Sequence, residues 1–402
     1  MVKKEEIEHL YTQLHLKDLE LKSLLEVTQA INANMPEEAL YKIYHFTLIS
    51  NLDIKKLALY VFDEQWECKV NYGTKKNFKK EPLAPHILEI NEYTTLEHDK
   101  VYSEFNIVIP IKHKSIKLAY VLANTATKKA PEELSFLQTF TNVIIVAIEN
   151  KKLARKELAR LALRKELEIA REVQAMLFPK SLPNNQAISV KASYYPHDSI
   201  GGDYYDYIPL CNDECIVCIA DVSGKGIPAA LLMANFQASL RTLVRHNTDP
   251  VSIVHELNQT IMNVANGERF ITFFIALINT RKKTIQYINA GHNPPVLFND
   301  GHTSILEKGT TVLGAFNKLP FVNTETIQYT PDAMLLLYTD GITELVNEDG
   351  AEYGIDNLKN FCSTLKGLSD QELHAAILKE INTYKGKNPY TDDVTYVSCI
   401  LK

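Results

Sequence analysis

Between Pro131 and Leu177 almost nothing in the sequence would break a helix. Leu137, Phe140, Ile144 and Ala147 recur at steps of three and four residues. Ala154, Leu158 and Leu161 keep the pattern, and Leu163, Leu167, Ala170 and Leu177 resume it after a slip in phase. Lys, Arg and Glu fill the other faces. A narrow apolar seam ringed by charge predicts an amphipathic connecting helix that pairs with a second copy of itself. The alternative is a single helix lying on one of its own domains. Phe178-Pro179-Lys180-Ser181-Leu182-Pro183 ends the helix, because proline lacks the N–H and clashes with the preceding turn. A chain of 402 residues has room for folded parts on both sides, at roughly 100–200 residues per domain.

The sequence is 46% hydrophobic and 23% charged, which excludes a disordered or collagen-like chain. Its formal net charge of -6 argues against a protein that coats nucleic acid. The longest apolar runs, Val143–Ile148 and Met334–Tyr338, fall far short of the ~18 residues that cross a bilayer. The charged N-terminus lacks the apolar stretch of a signal peptide, so a cytoplasmic location is expected. Six cysteines make no disulfide framework. Cys211, Cys215 and Cys218 have no fourth ligand at zinc spacing and read as reduced core or loop thiols.

Residues 1–33 read as helix, with Leu10, Leu14, Leu21, Leu24, Leu25 and Val27 interleaved with charge, and a second helix spans Glu37–Ser50. LALYVF (57–62) and WECKVNY (66–72) flank the turn Asp63-Glu64-Gln65 as a hairpin, and residues 106–112 and 116–124 form another. Beyond residue 184, strands come in neighbouring groups: 188–195, 204–210, 215–220, 271–279, 284–289, 295–298, 334–339 and 394–401. Helices are expected near 227–246 and 251–265, and a third opens at the capping box Ser369-Asp370-Gln371-Glu372. Grouped strands favour antiparallel sheets with helices packed outside, an α+β fold.

The aspartates carry the chemical signal. Asp221 follows the strand CIVCIA and opens Asp221-Val222-Ser223-Gly224-Lys225-Gly226. Asp340 follows MLLLYT, Asp392 and Asp393 precede VTYVSCIL, and Asp203 and Asp206 flank Tyr204-Tyr205. A carboxylate at a strand end is costly in a core and suits the rim of a site. Converging carboxylates need a cation, and an all-oxygen set selects Mg²⁺ or Mn²⁺ over zinc. Two such ions about 3.5–4 Å apart can activate a water and clamp a phosphoryl group. Taken singly, Asp-Gly and Ser-Gly pairs are ordinary turns.

EIAREVQAMLFPKSLP (168–183), GGDYYDY (201–207), ADVSGKGIPAALLMA (220–234), NAGHNPPVLF (289–298), LYTDGITE (337–344) and TDDVTYV (391–397), in this order, resemble the SpoIIE-like bacterial branch of the PPM (type 2C) serine/threonine phosphatases. The resemblance covers about residues 168–402. It implies two antiparallel sheets sandwiched between helices and a centre of two Mn²⁺ or Mg²⁺ ions. By motif, Asp221 would bridge the metals, the Val222 carbonyl would help to hold one, and Asp340 and Asp392 would bind metal directly. Asp203 would organise the metals' waters, and Asp393 matches less well. His292, in Gly291-His292-Asn293, reads as a general acid or as a structural loop histidine. The arginine with which the eukaryotic branch grips phosphate has no clear equivalent, and Lys225 reads as a solvated turn lysine, with a phosphate contact as the alternative.

Residues 24–64 are similar to a GAF domain, which implies a dimeric sensor of a small-molecule or protein signal. Cys68 there reads as a packed strand thiol rather than a chromophore attachment point. The expected organisation is an N-terminal helix (1–20), a GAF-like α/β sensor domain (21–150), a coiled-coil-like connecting helix (151–183) and a PPM-type phosphatase domain (184–402). By resemblance the partner is a phosphorylated regulatory protein, an anti-sigma-factor antagonist of the STAS type, and the protein is a homodimer. A silent scaffold and a hydrolase of a small phosphorylated metabolite are the alternatives. A Walker-type site fails on spacing, and no cysteine has the Cys-x5-Arg pattern of a phosphocysteine mechanism.

Overall fold

The computed structural model describes residues 2–402 except 53, 97–98, 114–115, 126–130, 198–199, 212 and 366. For residues 2–10, 12, 13, 15, 16, 131 and 132 it describes the backbone alone, so Leu10 of the first helix lies outside the described side chains. The chain divides into two compact units, Met1–Leu161 and Ala162–Lys402.

The first unit is an antiparallel five-stranded sheet in the order 65–72, 54–63, 116–125, 107–113, 94–95. Side chains alternate across a strand, and that period sorts its two faces. Leu57, Leu59 and Val61 pack with Tyr44 and Leu48 of the helix Glu37–Leu52 and with Phe140 and Ile144 of the helix Pro131–Ala175. Ala58 and Tyr60 point the other way, among Phe78, Tyr102, Phe105 and Tyr120. Each fully buried large apolar side chain contributes about 1.5–3 kcal/mol, so these two layers outweigh buried hydrogen bonds such as Tyr44–Thr141 at 2.9 Å. The expected hairpin closes between Asp63 and Gln65, with Glu64 at φ 62. Cys68 is buried, and burial pushes its thiol up to about 12.

The helix Pro131–Ala175 runs 45 residues. Its first turns belong to the core just described, through Phe136, Leu137, Phe140, Ile144, Ile145 and Ile148. Farther along, Leu153, Leu158, Leu161, Leu163, Ile169 and Val173 are exposed. The helix stops before Leu177, which packs against the core of the second unit instead of continuing the turn.

In the second unit two sheets stack face to face. One has the order 309–310, 284–290, 271–279, 214–222, 204–209, with 325–328 also paired to 284–290. The other has the order 302–305, 296–299, 333–338, 394–401, 188–195. Neighbours are antiparallel, apart from the short parallel contact of Asn289 and Ala290 with Gly309 and Thr310. Cys215, Val217, Ile219, Leu335, Leu337, Val397 and Cys399 fill the space between the sheets. Ile216, Cys218, Ala220 and Val222 face the helices Ile227–Val244 and Pro250–Ala265. Leu336, Tyr338 and Tyr396 face the helices Gly354–Thr364 and Asp370–Lys385. The capping box at Ser369 forms with Glu372. The helix Gly354–Thr364 and the short strands at 302–305 and 325–328 had no counterpart in the sequence reading.

All six cysteines are free. Cys215 faces the second sheet and Cys218 faces the helices, so the two thiols cannot share an ion. No helix among the described residues is long and apolar enough to cross a membrane.

Candidate active site

The inner layer of the sandwich changes character at one end. Val217 and Ile219 are inter-sheet, and two residues on comes Asp221. Leu335 and Leu337 are inter-sheet, and two residues on comes Thr339. Val397 is inter-sheet, and two and four residues before it stand Thr395 and Asp393. The two-residue strand period thus carries polar groups onto the interior face where the apolar packing ends.

Asp203 lies at the bottom of this polar layer, 2% exposed. Its Oδ2 accepts a hydrogen bond from Thr339 Oγ1 at 2.9 Å and one from the Thr395 hydroxyl. Burial and the neighbouring Asp221 charge raise its pKa well above the carboxylate range, against the pull of the two hydroxyls. Asp221 is pushed up to about 7, first by burial and then by the charges of Asp340, Asp392 and Asp393. Asp340 opens the short helix Asp340–Thr343 and is raised by burial and by Asp392. Asp392 Oδ2 lies 2.8 Å from Lys225 Nζ, and its Oδ1 accepts the Asp393 N–H at 2.8 Å. Lys225, 54% exposed, is thus a solvated lysine that is also ion-paired at the site. Asp393 spends both oxygens on backbone, accepting from His197 N at 2.8 Å and Gly202 N at 2.9 Å.

Among the described residues no three His, Cys, Asp or Glu side chains stand ready to hold an ion together. Asp203 is bonded by two threonines, Asp392 by Lys225, and Asp393 by two N–H groups. The donor set nevertheless suits a hard divalent cation. It consists of carboxylates that raise one another's pKa, which is the signature of uncompensated negative charge. Gly202 also leaves the Val222 carbonyl uncovered, since a Cβ there would come within 2.9 Å of that oxygen.

His292 is buried and hydrogen-bonded at both nitrogens, to Thr272 Oγ1 at 2.8 Å and to the Tyr338 carbonyl at 3.1 Å. The carbonyl can only accept, so Nε2 carries the proton and Nδ1 accepts from the threonine. Burial lowers its pKa to about 4. Of the two readings for this residue, the geometry favours the structural one.

Asp206 is not part of the cluster. It is three residues from Asp203 and faces the helices, where Arg241 grips it through Nε at 2.7 Å and Nη2 at 2.8 Å. The sequence reading had grouped the two because they flank the same tyrosine pair. It also missed Thr339 and Thr395, although both follow the period of the buried residues beside them. Arg269 had no local signal at all. Its Nη1 donates to the Ser223 carbonyl at 2.9 Å and closes over Gly224, whose φ of 95° and lack of a side chain make room.

Residues 212–401 match the family model described as Stage II sporulation protein E (SpoIIE). Phosphoserine phosphatase RsbU of Bacillus subtilis is 29% identical over 230 residues, 53% of this chain and 68% of that protein. Phosphoserine phosphatase RsbP of the same organism is 29% identical over 191 residues, 46% of this chain and 47% of that protein, so the chain spans about half of RsbP. Among solved structures, the SiaA-PP2C domain of Pseudomonas aeruginosa superposes with a TM-score of 0.55 at 19% identity, covering 61% of this chain and 99% of that one, a likeness of fold. The second unit thus has the PP2C fold, and its residues 212–401 are similar to the SpoIIE family.

Proposed function

We propose that this protein is a metal-dependent phosphatase that removes phosphate from serine or threonine of a phosphorylated regulatory protein. The observation that carries this reading is the gathering of Asp203, Asp221, Asp340 and Asp392 at one end of a SpoIIE-type sandwich. RsbU and RsbP bear the name phosphoserine phosphatase, which supports the substrate class. Asp221, the Val222 carbonyl, Asp340 and Asp392 would hold two Mn²⁺ or Mg²⁺ ions, with Asp203 behind them. Ions bound there supply an acidified water and neutralise phosphoryl charge.

In the reaction a P–O bond forms to water as the P–O bond to the serine oxygen breaks. The serine oxygen leaves with a proton, and inorganic phosphate is the other product. Thr339 and Thr395 fix the Asp203 carboxylate. Asp393 holds the His197 and Gly202 N–H groups, and Gln174 Nε2 donates to the Gly201 carbonyl at 2.8 Å. A small crevice beside Asp221 and Asp392 is lined also by His197, Gly202 and Lys225, and among the described residues its one large apolar side chain is Ile200. That polar rim favours a phosphate carried on a protein over a small metabolite held in an apolar slot. Carboxylates that destabilise one another argue against a silent scaffold, which has no use for the strain.

The regulatory part of the proposal is that the first unit is a GAF-like sensor, that the exposed apolar side chains of the connecting helix pair two copies, and that the substrate is an anti-sigma-factor antagonist of the STAS type. Gln174, on the last turns of that helix, supplies the link to the Gly201–Asp203 segment.

The test is hydrolysis of a phosphoserine peptide and of p-nitrophenyl phosphate with Mn²⁺, Mg²⁺ or EDTA, for the unaltered protein and Asp340→Asn. Mn²⁺-dependent turnover that falls at least 100-fold in the variant is expected. Turnover that survives EDTA would refute the metal centre. For the regulatory part, deletion of residues 1–150 should change both activity and oligomeric state, and no change in either would sink it.

A further inference from the structure

Five large apolar side chains, Ile227, Leu231, Val264, Phe270 and Phe316, are between 43% and 67% exposed around the loop Ser223–Gly226. They come from three segments of the chain, 227–231, 264–270 and 316, which the following contacts link. The loop is tied to Phe270 by two backbone-centred hydrogen bonds, Ser223 N to the Phe270 carbonyl at 3.0 Å and Phe270 N to Ser223 Oγ at 2.9 Å. Ile227 and Leu231 occupy successive turns of the helix that leaves the loop. The helix Pro250–Ala265 packs against that helix after a short connection, so Val264, near its end, returns toward Ile227. Ile271 and Leu313 exchange backbone hydrogen bonds at 2.9 Å, and Asn258 holds both Gly314 N and the Phe316 carbonyl at 2.9 Å. Lys225 stands on this loop, ion-paired to Asp392, and Arg269, the residue before Phe270, donates to the Ser223 carbonyl of the same loop.

We propose that this apolar rim is the docking surface for the phosphorylated protein substrate, with Lys225 and Arg269 facing its phosphate-bearing segment. The inference rests on the phosphatase reading and adds to it a surface that selects a folded protein over a small ester. Contiguous exposed apolar surface marks interaction sites on soluble domains. Here Ile227 directly follows the loop Ser223–Gly226, which comes just after Asp221, Phe270 is hydrogen-bonded to that loop, and the neighbouring Lys225 and Arg269 complement a phosphate. A partner seated on the rim would bury apolar area while presenting its phosphoserine to the carboxylates, and p-nitrophenyl phosphate would touch none of it.

The test compares kcat/KM for a phosphoserine-bearing STAS-type protein with kcat/KM for p-nitrophenyl phosphate, in full-length protein, for Leu231→Ser and Phe316→Ser. Both side chains are largely exposed, and Leu231→Met serves as the conservative control. The ratio of the two kcat/KM values is expected to fall at least tenfold in each serine variant, through KM for the protein, and to recover in Leu231→Met. An unchanged ratio, an equal fall for both substrates, or a change of oligomeric state that accounts for the loss would overturn the docking surface. If the unaltered protein turns over p-nitrophenyl phosphate but not the phosphoprotein, the surface has the wrong occupant. If it turns over neither, the phosphatase reading itself falls and the surface with it.

Discussion

Lys225 Nζ lies 2.8 Å from Asp392 Oδ2, so a lysine of the Asp221 loop neutralises a carboxylate that the proposed metal centre needs. A cation entering beside Asp392 must meet that ammonium or displace it. Lys225→Met should therefore lower the Mn²⁺ concentration for half-maximal activity by about threefold, the scale of one partly screened charge. Activity titrated against Mn²⁺ checks this, and a higher requirement in the variant would contradict it.

Arg241 is the charged partner of Asp206, a carboxylate buried beneath the helices, and Tyr204 shares the same acid through its hydroxyl. Removing one member of a buried ion pair typically costs 3–5 kcal/mol. Arg241 is itself 42% exposed, so water can partly replace it, and Arg241→Ala should cost about 2–3 kcal/mol. Urea unfolding followed on the second unit would read that loss. Metal dependence of the remaining folded enzyme should not move, since Asp206 lies on the other face of its strand from Asp203.

His292 should make the second unit sensitive to mild acid. Its folded pKa of about 4 lies below the usual histidine value, because burial disfavours the imidazolium. The unfolded chain therefore binds the proton first. Stability from this group is full above about pH 6.5 and is lost as pH falls toward 4, on the order of 3 kcal/mol in all. His292→Asn should flatten the pH dependence of the unfolding midpoint over that window, while lowering stability at pH 7. An unchanged slope would mean that other groups set it.

Much of the candidate site could be read along the chain because strands expose their period. CIVCIA followed by Asp221, MLLLYT followed by Asp340, and the Asp392-Asp393 pair before VTYVSC each mark an apolar strand that ends in a carboxylate, and the family motifs sit on the same segments. Thr339 and Thr395 were equally legible in principle, since they share parity with Leu337 and Val397. They were overlooked because a threonine in a strand is unremarked until its partner is known. The hairpin at Asp63–Gln65, the capping box at Ser369 and the long helix from Pro131 rest on local chemistry, and the fold keeps them.

What the sequence determined by itself was which residues share a face: backbone sterics and the period of two decide that within a strand. Only the tertiary structure decided what each face would meet. Asp203 and Asp206 are three residues apart, and packing sends one between the sheets with two threonines and the other beneath the helices with Arg241. His292 reads locally as a general acid or as a structural loop histidine, and the tertiary structure decides between them, because Thr272 and Tyr338 close on both of its nitrogens. Arg269 reaches Ser223 across 46 residues of chain. Local preferences act over a few residues, whereas the electrostatic neighbourhood of a buried group is made by whatever segments the apolar layers bring within a few ångströms of it.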